Sequence, residues 1–213
     1  MAPYLEGELI DPSTQKTEPV YPLSIEGLDK LFEYRSHEGG LSNGVVSQVD
    51  LPAGAHFCYI TQHKPAAKPD WSTVQAGKHT HIDLQSGLVY TNHSCRPSLE
   101  FQMFSPDANG KYPQTLPYEL PEGQPAPVPG KHGIAGEVRV AHDRAIKKGE
   151  DLTFFYPSTE WKSVKPFDCL CNAGEGICVK NAAGSSYLSK EQLSRYFLAD
   201  HIKELLKERD AQQ

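Results

Sequence analysis

Two short segments carry most of the chemically capable side chains. Asn92-His93-Ser94-Cys95 sets an amide, an imidazole, a hydroxyl and a thiol side by side, and Arg96-Pro97 then ends the run on a proline. Further on, the Lys148-Gly149 turn leads into Glu150-Asp151-Leu152-Thr153-Phe154-Phe155-Tyr156, a β-branched and aromatic strand that ends on a phenol. A generic hydrophobic core requires neither pattern, although an aromatic strand by itself reads as buried core. Three of the five cysteines cluster at Cys169, Cys171 and Cys178. In a reducing compartment such a cluster is read as metal ligands or as free thiols rather than disulfides. Cys58 reads as core. His79 and His81 share a strand face at i and i+2, but no third ligand stands at a telling spacing, so they read as a structural or exposed pair. No phosphate-binding loop, nucleophile elbow or dinucleotide fingerprint occurs.

The elements that must position these groups are mostly short strands. Val45–Val49 and Ala55–Ile60 flank the turn Asp50-Leu51-Pro52-Ala53-Gly54, and Trp71–Gln75 and His81–Leu84 are further β segments. Leu99–Phe104 alternates apolar and polar residues. Glu137–Ala141 and Leu152–Tyr156 bracket the Lys147-Lys148-Gly149 turn. Ser24–Tyr34 holds a short strand or one helical turn. Residues 105–136 are rich in proline and glycine and have no periodicity, which suits a surface insertion or a functional loop. Ser189 and Gln192 form a capping box, after which Leu193, Phe197, Ile202, Leu205 and Leu206 predict one C-terminal helix. Periodicity alone therefore predicts a mainly β protein with a terminal helix.

The bulk numbers bound the answer further. At 213 residues the chain holds one well-buried core with an appendage. It has no apolar run of membrane-spanning length and no secretory signal, so the expectation is an intracellular protein with no membrane partner. A net charge of −6 argues against direct nucleic-acid binding, which needs a basic surface. It also suits a lysine-rich partner, although a mildly acidic surface is the ordinary solution for solubility.

In that order, Asn92–Pro97, Gly149–Tyr156 and the cysteine run that opens Phe167-Asp168-Cys169-Leu170-Cys171 resemble the two signatures and the post-SET segment of the SET domain, the fold of most protein-lysine methyltransferases. The resemblance covers about residues 40–205 and is strongest at 92–97 and 149–156. It implies a mainly β (α+β), β-clip-like fold of short strands with a pseudoknot and a C-terminal helix. Its parts would be an N-terminal arm (1–35), a SET domain (36–165) bearing the 105–136 insertion, and a post-SET segment with the helix (166–213).

It also implies S-adenosylmethionine on one face and a narrow substrate channel entering from the other. Asn92 and His93 would bind the cofactor, together with Asn43 and Gly44 of a glycine turn and Phe167 of the post-SET segment. Tyr156 would be the catalytic tyrosine, and Phe154, Tyr90 and Trp71 would line the channel. Cys95 would join Cys169, Cys171 and Cys178 around a structural zinc, though buried free thiols fit the same residues. Where the family has a first glycine of a GxG turn, Ser42 stands here, and Ser98 replaces an asparagine. The second cysteine gap, Asn172 to Ile177, is longer than the family's four residues, and Asn172 replaces a glycine. Three functions follow: methyl transfer to a protein lysine, methyl transfer to a small molecule, or a non-catalytic binding module.

Overall fold

The computed structural model describes residues 25–36 and 43–212. Most of the arm expected over 1–35 lies outside them, as does Ser42.

A 3-10 turn, Ile25–Lys30, leads into β1 (Phe32–Arg35), so the Ser24–Tyr34 stretch holds both of the elements considered for it. The strands that follow are β2 (Gly44–Ser47), β3 (His56–Ile60), β4 (His63–Pro65), β5 (Thr73–Gln75) and β6 (His81–Leu84). After a 3-10 turn at Gly87–Tyr90 come β7 (Asn92–His93), β8 (Leu99–Met103), β9 (Gly136–Val140) and β10 (Asp151–Phe154). The architecture is thus mainly β with a small helical C-terminus, as the sequence predicts. Among the described residues, no helix is long and apolar enough to cross a membrane.

One curled mixed sheet runs β1-β2-β10-β8-β9-β3, and β7 also pairs with β10; β4-β6-β5 form a smaller sheet. The decisive pairing is that of β10. It lies antiparallel to β2 (Leu152↔Val45) and parallel to β7 (Thr153↔Asn92, Phe154↔His93) and β8 (Phe154↔Leu99). A strand from the last third of the chain is therefore seated between segments from the first half. Ser98 stands at this junction. Its hydroxyl accepts the Thr153 N–H at 2.8 Å and donates to the Asp151 carbonyl at 3.2 Å, and it is wholly buried. The serine at the expected asparagine position thus satisfies backbone groups that burial would otherwise leave unpaired.

The alternation in β8 has its expected consequence: Leu99, Phe101 and Met103 are buried, while Glu100 and Gln102 are half-exposed. Phe101, Val138, Val140 and Leu152 lie in the main core. Residues 105–135 contain no named strand or helix, and Gly136, the last residue of the expected insertion, already opens β9. They are nonetheless anchored, because the Tyr118 hydroxyl donates to the buried Glu137 carboxylate at 2.5 Å and Gln124 Nε2 donates to the Tyr59 hydroxyl at 2.6 Å.

The single C-terminal helix is corrected to two: α1 (Lys190–Leu193) and α2 (Asp200–Asp210). The capping box on Ser189 and Gln192 is present. The chain then leaves the helix because other partners take its groups. Tyr196 donates its hydroxyl to the Cys95 carbonyl at 2.8 Å, and the Ala199 N–H goes to the Ser158 carbonyl at 2.9 Å. Ala199 and Ile202 join the main core.

Candidate active site

β7 and the end of β10 bring the two signatures together, since the parallel register sets His93 beside Phe154. β10 ends at Phe154, one residue pair earlier than the strand expected to run to Tyr156. Tyr156 instead opens a 3-10 turn, Tyr156–Ser158. Pro157 has no N–H to give a ladder, which favours the turn.

Asn92 Nδ2 donates to the Asn43 carbonyl at 3.0 Å. Gly44 lies so close that a Cβ there would stand 2.9 Å from the same Nδ2. The glycine turn and the amide therefore meet, and a side chain at position 44 would make the Asn92 amide shift. His93 packs against three aromatic rings: Tyr156 at 5.2 Å, Phe155 at 5.7 Å and Phe167 at 5.7 Å between centroids. Its Nδ1 accepts the Tyr156 N–H at 3.2 Å, which puts the imidazole proton on Nε2, 3.4 Å from Cys95 Sγ. Burial pulls the His93 pKa down to about 4, so the ring is neutral.

The Tyr156 hydroxyl donates to the Thr91 carbonyl at 3.1 Å. Burial, and then the Glu160 carboxylate, hold this phenol well above its ordinary value. It is a neutral hydrogen-bond donor rather than a base. Phe154 stacks on Phe101 at 4.1 Å and touches Tyr156 at 4.7 Å. Phe167 lies 6.1 Å from Tyr156. Tyr90 meets Tyr34 edge to face at 4.8 Å, one residue before Thr91. Trp71 is 42% exposed in the turn before β5.

The four cysteines converge. The sulfurs of Cys95, Cys169, Cys171 and Cys178 all lie within 4.8 Å of one another. Two of the separations are 3.8 Å (Cys95–Cys169) and 3.9 Å (Cys171–Cys178). Ligands about 2.3 Å from a tetrahedral metal would sit about 3.8 Å apart, whereas a disulfide needs about 2.05 Å. The donor set therefore fits a tetrahedral thiolate site. Backbone N–H groups also point at the sulfurs, Val179 to Cys95 Sγ at 3.4 Å and Cys95 to Cys171 Sγ at 3.5 Å. Burial alone would raise the Cys171 thiol, but the Cys95 N–H and neighbouring thiol hydrogen bonds outweigh it and bring the pKa to about 7. The longer cysteine gap is absorbed by left-handed residues, Asn172 at φ 52°, Gly174 at φ 92° and Gly176 at φ 74°. Asparagine is the side chain that tolerates this region best after glycine, so it can stand where the family has glycine.

Sequence reasoning missed the groups that hold the Tyr156 turn. The Gln75 N–H donates to Glu160 Oε1 at 2.7 Å, and the Trp161 N–H donates to Gln75 Oε1 at 2.8 Å. His81 Nε2 lies 3.5 Å from the other Glu160 oxygen. This clamp ties the small sheet to the turn bearing Tyr156. Thr91, whose carbonyl takes the phenol proton, was likewise unmarked. No local pattern distinguishes such residues, because their partners are remote in sequence.

By sequence the chain belongs to a family of methyltransferases. The relative that shows this is methyltransferase flvH of Aspergillus flavus, 42% identical over 160 residues, a match covering 75% of this chain and 72% of that protein. No family profile matches the chain. Among solved structures, the crystal structure of KRYPTONITE in complex with mCHH DNA, an H3(1-15) peptide and SAH gives a TM-score of 0.42 at 23% identity. That match covers 71% of this chain and 29% of the other, so the chain spans less than a third of it.

Proposed function

We propose that the chain is an S-adenosylmethionine-dependent methyltransferase of SET type whose acceptor is the amine of a protein lysine. The observation that carries this reading is the convergence of Asn92, His93 and Tyr156, from separate segments, around Gly44 and Phe167. Membership of a methyltransferase family supports it independently.

When bound, S-adenosylmethionine supplies an electrophilic methyl group. Asn43, Gly44, Asn92, His93 and Phe167 would hold it through backbone and amide polarity and an aromatic wall. The neutral Tyr156 phenol and the Thr91 carbonyl would orient the amine. Such a reaction needs alignment of a neutral nucleophile and no covalent intermediate. The uncharged state of both His93 and Tyr156 suits a pocket that must hold a cationic donor without a competing positive charge. A phenylalanine at 154 in place of a second hydroxyl leaves room for more than one methyl. The four thiolates would hold a structural zinc that ties the post-SET loop beside Phe167, two residues before Cys169.

Transfer to a small molecule is the second reading. The observation favouring it is the ordered insertion at 105–136, pinned by Tyr118 and Gln124, which reshapes the surface beside β3 and β9. Calorimetry with S-adenosylmethionine and S-adenosylhomocysteine tests the donor, and binding of neither would leave only a binding module. Tritium transfer to lysine peptide arrays would support the protein acceptor. Silent arrays with labelling of a cell-extract metabolite would support the small molecule.

A further inference from the structure

A cavity opens beside Phe155, away from the Tyr156 phenol. Successive side chains alternate sides along extended backbone. Phe154 and Tyr156 accordingly pack with the main core, while Phe155 joins a separate cluster with Cys95, Leu188 and Leu193. The cavity opens on the Phe155 side and measures about 590 Å³, within the range of small-molecule sites. Its aromatic wall is rigid. Tyr196 stacks on Phe155 at 3.7 Å and 10°, and its hydroxyl is fixed on the Cys95 carbonyl.

Three arginines, Arg96, Arg144 and Arg195, line the same space, together with the acidic residues Glu100 and Asp143. Glu100 is already engaged: it accepts the His142 N–H at 3.0 Å and pairs with His142 Nδ1 at 2.6 Å. That hydrogen bond, against partial burial and with help from the charges of Glu100 and Asp143, holds the His142 imidazole above its ordinary value. Arg144 is paired with Glu150. Arg195 is steadied by a neutral acceptor, the Gly176 carbonyl at 3.0 Å, and has no carboxylate partner among the described residues. The Arg96 side chain is exposed and has no partner among the described residues. In a chain of net charge −6, two guanidinium groups with no carboxylate partner among the described residues stand beside an aromatic wall, with the four-thiol cluster bordering the same space at Cys95.

We infer that this cavity is a second binding site, separate from the methyl-transfer site, for a small oxyanion carried on an apolar body. Arg96 and Arg195 hold the oxyanion, and the Phe155–Tyr196 stack takes the body. The planar fork of arginine matches the two oxygens of a carboxylate or phosphate. The class of ligand is therefore an aryl or alkyl phosphate monoester or carboxylate.

The test is calorimetric titration of the full chain with phenyl phosphate, phenylacetate and neutral benzyl alcohol, alone and with saturating S-adenosylhomocysteine. Phenyl phosphate, phenylacetate or both should bind, with whichever is tighter naming the oxyanion, and benzyl alcohol should bind about tenfold more weakly or less. Arg96→Ala should weaken the anion about tenfold or more, and because Arg96 is exposed the melting temperature should barely move. Absence of binding by both anions, equal affinity in Arg96→Ala, or competitive displacement by S-adenosylhomocysteine would each overturn the inference. The donor titration reads out independently, so failure of the methyltransferase reading leaves a distinct signature: no heat with S-adenosylhomocysteine whatever the anions do.

Discussion

The Tyr156 peptide N–H is held by Nδ1 of His93 at 3.2 Å, so the backbone of the proposed catalytic tyrosine is fixed by a residue of the other signature. Through its second nitrogen the same imidazole faces Cys95 Sγ at 3.4 Å. The phenol and the four-thiol cluster are thereby joined through one neutral ring. Groups that orient a ligating or catalytic residue in this way commonly matter almost as much as the residue itself.

Tyr156→Phe removes only the hydroxyl that donates to the Thr91 carbonyl and leaves the peptide N–H on His93 intact. Turnover should fall about 100-fold or more while S-adenosylhomocysteine binding stays unchanged. Single-turnover kinetics beside calorimetry checks this, and wild-type turnover in the variant would show that the phenol has no role in the reaction.

Gly44→Ala puts a Cβ against Asn92 Nδ2, at 2.9 Å before relaxation. The amide must shift and its bond to Asn43 weaken. Affinity for S-adenosylhomocysteine should drop about tenfold, roughly the worth of one disturbed polar contact, with the circular dichroism spectrum unchanged. Wild-type affinity would place the donor elsewhere.

The thiol cluster should carry one zinc ion per chain by native mass spectrometry. Metal ligation is folding free energy in such sites, and for a domain of this size each 1 kcal/mol shifts the melting temperature about 2–4 °C. Removal by a strong chelator should therefore lower the midpoint by about 5 °C or more. Native protein without metal, melting as before after chelation, would identify the cluster as buried free thiols.

Acid should weaken the fold through three histidines: His93, held at about 4 by burial, and two more. Burial holds His63 and His201 below the ordinary imidazole value of 6.5, with the Gly133 and Thr159 carbonyls opposing in part. Below that value the unfolded chain takes up protons that the folded chain resists, so stability falls as pH drops through about 6.5 and downward. Urea midpoints between pH 7.5 and 5 should decline, and His63→Phe should flatten the slope whatever it does to the midpoint at neutral pH. An identical slope in that variant would exclude His63 from the effect.

Much of the architecture is legible in order of residues alone. The alternation of Leu99–Met103 sets the buried face of β8, the Ser189–Gln192 box starts α1, and the proline- and glycine-rich stretch forms no named strand or helix up to Gly136, where β9 begins. These depend on local stereochemistry and periodicity, which neighbouring residues determine. The motif Asn92–Cys95 and the cysteine run likewise name their own chemistry through residue type.

Tertiary structure decided the rest. That β10 would seat itself between β2 and β7 followed from pairing across long loops, and only that pairing puts His93 beside Tyr156. The C-terminal helix broke because Ala199 and Tyr196 found partners in the Ser158 turn and at Cys95. The clamp of Gln75 on Glu160 has no sequence signature, since each group is an ordinary surface residue until the other is brought 2.7 Å away. Hydrogen bonds between remote groups are specified by the fold that delivers them, whereas strand, turn and cap propensities act within a few residues of the chain.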